Sequence, residues 1–216
     1  MHPDSESPHQ NQPIETAGTP LESATVAMIL VHGRGATAQG MVRMADQFAV
    51  EGVAHLAPQA AGNTWYPNPF TAPVESNEPG RTSGLQAVDD AISVAEAADI
   101  PIDQVVILGF SQGGCLASEF VARNPDRYGG LVALSGGLIG ESIDPSEYEG
   151  DLDGTTVFLG CSDTDPHIPA ERVHESATVF ERLGGSVTTR LYEGMGHDIN
   201  EDEIQFVSEL LASLVG

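Results

Sequence analysis

Gly109-Phe110-Ser111-Gln112-Gly113 sets a serine in the pattern G-x-S-x-G, directly after the apolar run Val105-Val106-Ile107-Leu108. Such a run reads as a strand buried on both faces of a parallel sheet. Cys115 to Ala122 then continues as a helix. Strand, sharp turn and helix together make a nucleophile elbow, which lifts a serine hydroxyl above a sheet. Glycines flank the serine where a Cβ would strike a neighbouring strand or helix. The chemistry on offer is attack on a carbonyl. Ser111 supplies the oxygen, and the Gln112 amide, free at a helix N-terminus, supplies a hydrogen bond to the developing oxyanion.

A serine of this kind needs a base, and the base needs an acid to orient it. Gly194-Met195-Gly196-His197 follows the last expected strand, and its glycines let the loop fold over Ser111, so His197 is the expected base. His174 falls inside an expected helix, and His167 lies two residues beyond a candidate acid, too close to reach across it easily. Asp163 and Asp165 both follow the strand that begins at Thr155, and position alone divides them nearly evenly. Pro166 after Asp165 would fix the turn and remove a competing donor. A second oxyanion donor is expected in the loop His32-Gly33-Arg34-Gly35, from the Arg34 amide, with His32 bracing that loop through hydrogen bonds.

These residues need a scaffold that brings them together. Apolar runs predict strands over 25–31, 53–58, 105–108, 130–135, 155–160 and 186–192. Between them, apolar spacings of three and four predict helices over about 37–50, 80–99, 170–183 and 201–214. The alternation predicts an α/β fold with a doubly wound, mostly parallel sheet and helices on both faces. Such sheets carry their sites at the carboxyl ends of strands, where His32, Ser111, Cys161 to Asp165 and Glu193 to His197 all fall. Gln59 to Pro79 has no periodicity and carries four prolines, yet it also holds Trp65, Tyr66 and Phe70. Loops this long are usually functional or disordered, and disordered ones are poor in aromatics. Trp65, Tyr66 and Phe70 are therefore expected to form an ordered wall that binds substrate. The irregular stretch 136–154 is too short for a lid domain.

Composition narrows the rest. At 216 residues the chain suits one domain with a sizeable core. Residues 1–22 are polar and read as a disordered acidic tail, with His2 and His9 solvated and no metal held there, ahead of a domain over 23–216. Neither a long apolar run nor a signal-peptide pattern is present, which makes the cytoplasm the expected compartment without stable membrane association. Cys115 and Cys161 make neither a disulfide framework nor a metal pattern and are expected as small buried packers. The 32 acidic residues face eight basic ones, all arginine, for a net charge of −24. Such self-repulsion is screened over ~3 Å in 1 M salt against ~10 Å in 0.1 M salt, pointing to a halophile's protein. With no basic patch to displace counterions, nucleic acid is not an expected partner.

Together, Val31-His32-Gly33-Arg34-Gly35-Ala36, Gly109 to Gly114, Asp165-Pro166-His167-Ile168-Pro169 and Gly194 to His197 resemble the phospholipase/carboxylesterase family of α/β-hydrolases, which includes acyl-protein thioesterases. The resemblance spans nearly the whole domain. It implies the α/β-hydrolase fold without a lid domain and selects Asp165 as the acid, since the family's aspartate precedes the proline. It also maps the oxyanion amides to Arg34 and Gln112. Arg34 stands where many relatives carry an apolar residue. Its side chain is expected to point to solvent or pair with a surface carboxylate, the alternative being a carboxylate on the substrate. The reading is a serine carboxylesterase for short-to-medium acyl esters of small molecules, with no cofactor or metal, as a monomer or homodimer. The alternatives are an acyl thioesterase or lysophospholipase, and a non-catalytic protein that binds a ligand in the same fold.

Overall fold

A computed structural model describes residues 6–48 and 50–216. Its sheet has seven strands: β1 (Ile14–Gly18), β2 (Val26–Val31), β3 (Val53–Pro58), β4 (Val105–Phe110), β5 (Gly130–Leu134), β6 (Thr156–Ser162) and β7 (Ser186–Tyr192). They lie in the order β1-β3-β2-β4-β5-β6-β7, all parallel except β1, which runs antiparallel to β3. From β2 the chain winds outward to β3, then returns to lay β4 on the other side of β2. A crevice opens at that switch point, outside the carboxyl ends of the strands. There Val31 pairs beside Gly109, so the loop after β2 emerges next to Ser111.

Among the described residues, five α-helices cover the sheet: α1 (Ala38–Ala45), α2 (Gly80–Glu96), α3 (Gln112–Arg123), α4 (Ala170–Arg182) and α5 (Glu201–Val215). Alternation along the buried strands splits the core in two. Ile29, Val31, Ile107, Leu131 and Leu159 pack with residues of α2, α3 and α4. Met28, Leu30, Leu108, Val132 and Phe158 pack with residues of α1 and α5. Ile107 and Leu108 are both fully buried, and each such side chain contributes about 1.5–3 kcal/mol. Both faces are therefore apolar, which is why the strands read as unbroken runs rather than alternating ones.

The helix expected over about 37–50 is shorter, since α1 ends at Ala45 and a 3₁₀ turn follows over Asp46–Phe48. Thr37 caps its start by accepting a hydrogen bond from the Gly40 amide at 3.1 Å. The expectation of a disordered tail over 1–22 does not hold for its described part. β1 pairs along its whole length with β3, from Ile14 opposite Pro58 to Gly18 opposite Ala54. The physical reason is the open edge of β3, whose backbone groups need partners that a short polar strand supplies as well as an apolar one. His9, expected in solvent, is buried. His2 lies outside the described residues. Among the described residues, no helix is long and apolar enough to cross a membrane.

Candidate active site

β4 ends at Phe110 and α3 begins at Gln112, leaving Ser111 alone to turn the chain, at φ 56° and ψ −121°. That left-handed backbone costs about 1–3 kcal/mol in a non-glycine residue, and surrounding contacts must hold it. The Ser111 amide donates to the Leu134 carbonyl at 2.9 Å, and the Ser111 carbonyl accepts from Cys115 at 2.9 Å. A Cβ on Gly113 would lie 2.0 Å from the Val31 carbonyl oxygen, and one on Gly109 2.1 Å from the Gly113 carbonyl oxygen. The elbow thus needs glycine at both sites because backbone passes over them.

His197 reaches Ser111 from the loop after β7, with its Nε2 2.8 Å from Ser111 Oγ. Its Nδ1 lies 2.8 Å from Asp165 Oδ2. The other carboxylate oxygen of Asp165 accepts from the His167 amide at 2.8 Å and the Ile168 amide at 3.0 Å. Burial would push this carboxyl upward, but the hydrogen bonds from His197 and the two amides outweigh it and hold the group below its ordinary value. An ionised Asp165 accepts a hydrogen bond from Nδ1–H, which leaves Nε2 free to accept from the serine hydroxyl. Asp163, the rival acid, does not touch the imidazole. Its carboxylate instead accepts from the Gly194 amide at 2.9 Å and so ties down the histidine's loop. His167 sits beside the pair, its ring 4.9 Å from that of His197.

A cavity of about 430 Å³ opens over Ser111 and His197. Tyr66, Pro67, Pro69, Phe70 and Ile168 form much of its wall. Tyr66 and Phe70 therefore line the cavity beside Ser111. Trp65 does not. It is fully buried, is not part of that wall, and donates from Nε1 to the His32 carbonyl at 2.8 Å. Its large apolar face is stabilised more by the core than by a water-filled cleft. Cys115 also lines the cavity, but burial pushes its thiol up to about 12, so the nucleophilic thiolate is not populated at neutral pH.

Arg34 is exposed, as expected, and lines the cavity, but it pairs with no carboxylate. Its guanidinium donates to the carbonyls of Tyr66 at 2.9 Å, Pro67 at 3.0 Å and Asn68 at 3.0 Å. The planar fork of arginine suits three converging acceptors. The Gln112 side chain grips the same loop, accepting from the Trp65 amide at 2.9 Å and donating to the Tyr66 carbonyl at 2.8 Å. His32 braces from below, with Nδ1 on the Gly33 carbonyl at 2.8 Å and Nε2 accepting from the Ala60 amide at 3.0 Å. Sequence reasoning missed His9 and Asn77. Asn77 is buried, accepts from the Asn68 amide at 2.8 Å and donates to the Pro69 carbonyl at 3.1 Å. An amide side chain inside a proline-rich loop was the available signal, because each proline removes a main-chain donor and side chains must supply others.

The strand order, the elbow and the histidine loop together define an α/β-hydrolase. The chain belongs to the phospholipase/carboxylesterase family, whose family model matches residues 13–215. It is similar to the crystal structure of a phospholipase/carboxylesterase from Dyadobacter fermentans, at 40% identity and a TM-score of 0.90, covering 94% of this chain and 97% of that one. It is also similar to acyl-protein thioesterase 1 of Debaryomyces hansenii, 32% identical over 119 residues, covering 52% of this chain and 51% of that protein. The match to acyl-protein thioesterase 1 of Saccharomyces cerevisiae is 25% identical and covers 89% of this chain and 96% of that protein. The chain spans about half the length of the curated Debaryomyces hansenii and Candida albicans thioesterases that it matches.

Proposed function

We propose that the protein is a serine carboxylesterase acting on short-to-medium acyl esters of small molecules. The observation that carries this reading is the run of hydrogen bonds from Ser111 through His197 to Asp165, each 2.8 Å long, opening onto the cavity. Ser111 Oγ attacks the ester carbonyl as its proton passes to His197 Nε2. Asp165 stabilises the imidazolium and keeps its ring in place. The tetrahedral oxyanion is received by the main-chain amides of Arg34 and Gln112. Gln112 opens α3, where an amide has no carbonyl one turn back to bond. His197 then gives its proton to the leaving alcohol, and an acyl group remains on Ser111. Water, deprotonated by His197, attacks that acyl group and releases the acid, and Ser111 regains its proton.

The apolar wall and the lack of a lid insertion among the described residues suit an open site and modest acyl chains. The names of the thioesterase relatives favour a second substrate class, acyl thiols, on the same residues. The charge of −24, with no lysine, fits work in molar salt inside the cytoplasm of a halophile. The test is hydrolysis of p-nitrophenyl esters from acetate to palmitate, beside matched thioesters, in about 3 M KCl, where charge is screened within ~3 Å. Wild type should turn over the shorter esters, and Ser111→Ala should lose ~10⁴-fold or more. Equal rates for the two folded proteins would refute the proposal.

A further inference from the structure

The segment ahead of β1 does more than start the sheet. His9 is only 4% exposed, in a stretch otherwise rich in polar residues. Its main-chain amide donates to Ser83 Oγ at 2.9 Å, and Gln10 binds the same serine, donating to its carbonyl at 2.9 Å and accepting from its hydroxyl at 2.7 Å. So anchored on α2, the His9 ring bridges two points of the aromatic loop. Nδ1 accepts from the Ala61 amide at 3.0 Å, and Nε2 donates to the Trp65 carbonyl at 2.9 Å. The ring also meets the Trp65 indole edge-on, with centroids 5.2 Å apart. An imidazole that accepts at one nitrogen and donates at the other must be neutral. Burial, though opposed by the backbone hydrogen bonds, holds it so by lowering its proton affinity below that of an ordinary histidine.

Trp65 is thereby gripped from two sides. His9 holds its carbonyl, while its main-chain N–H donates to the Gln112 side chain at 2.9 Å. Gln112 follows Ser111 directly, and its own main-chain N–H is one of the two amides assigned above to the oxyanion. We propose that His9 is a positioning residue for the reaction: a clip that fixes Trp65 and, through it, the Gln112 side chain and the oxyanion amide beside Ser111. The inference rests on the esterase reading. His9 itself precedes residue 13, where the family match begins.

Oxyanion donors act because they are held in place before the reaction, and losing one outright costs 10²–10³-fold in other enzymes. Loosening one should cost less. His9→Ala is expected to lower kcat for a short p-nitrophenyl ester ~10-fold with KM within ~3-fold, since the apolar cavity wall remains. Trp65 is the sole tryptophan, so its fluorescence reports the clip directly and independently of turnover. Its emission should move toward that of a wetter indole in His9→Ala. His9→Gln, whose amide can still donate to the Trp65 carbonyl, should recover much of both signals and guards against a failure of the alanine variant to fold. Ser83→Ala, which removes the anchor instead of the ring, should shift both in the same direction by less. The inference is overturned if Trp65 emission is unchanged in His9→Ala. It is equally overturned if emission moves while kcat stays at the wild-type value, or if KM alone changes. Failure of the esterase reading shows differently, as wild-type turnover in Ser111→Ala.

Discussion

Asp165→Asn removes one negative charge while keeping the shape of the side chain, and the structure dictates which way the new amide must face. The Asp165 oxygen that accepts from the His167 and Ile168 amides, at 2.8 and 3.0 Å, must remain an acceptor. Placing NH₂ there would set three donors against one another and leave both amides without a partner. The amide nitrogen must then occupy the other position, 2.8 Å from His197 Nδ1. From there it donates, so Nδ1 has to accept, and the ring proton moves to Nε2. Nε2 can no longer take the proton of Ser111. The same exchange in a chymotrypsin-type triad lowers kcat ~10⁴-fold for this tautomeric reason. That factor corresponds to about 5.5 kcal/mol of transition-state stabilisation. Initial rates with p-nitrophenyl butyrate at several concentrations separate kcat from KM, and a thermal melt checks the fold. The expected pattern is kcat down ~10⁴-fold with KM and melting temperature close to wild type. A variant that keeps kcat within ~10-fold of wild type would show that Asp165 does not set the tautomer.

Other substitutions test other parts. Arg34→Leu removes the three hydrogen bonds to the Tyr66, Pro67 and Asn68 carbonyls. It should lower kcat/KM ~10-fold by the same factor for neutral and anionic esters, and a changed preference between them would show that the guanidinium binds substrate charge. Glu203 is buried, accepts from the Asn200 amide at 2.9 Å, and is pushed by burial up to about 7 from 4.5. The folded state therefore binds this proton more tightly than the unfolded chain, and wild-type stability falls as pH rises from 4.5 toward 7. Glu203→Gln should gain on wild type across that window, by no more than about 3 kcal/mol in urea unfolding, and a gap constant with pH would contradict the assignment. With a net charge of −24, the protein should melt at a higher temperature in 3 M than in 0.1 M KCl, where screening changes from ~10 Å to under ~3 Å. A melting temperature that failed to rise would count against adaptation to salt.

What could be read from the sequence was mostly local. The Ser111 elbow is legible because strand, glycines and helix are contiguous, and each glycine is required by backbone that crosses within 2.1 Å of its missing Cβ. His197 is legible because a glycine loop between strand and helix has few other uses. Asp163 and Asp165 could not be separated by position, because both leave the same strand and both turn out to bind the histidine's loop, one through Gly194 and one through His197. Long-range pairings were invisible. β1 has no buried residue and no alternating pattern, and exists because β3, about 40 residues on, offers an open edge. Composition alone puts Trp65 in the cavity wall, whereas its partners His9, His32 and Gln112 come from three distant segments. Arg34 likewise could not reveal its acceptors, since carbonyls leave no mark in a sequence.

A covalent acyl group on Ser111 can be measured directly. Wild-type protein mixed with excess p-nitrophenyl butyrate, quenched in acid during turnover and digested, should yield the Ser111 peptide heavier by one butyryl group. Ser111→Ala should show neither that adduct nor turnover. An adduct on Cys115 instead, or undiminished turnover by Ser111→Ala, would contradict the account.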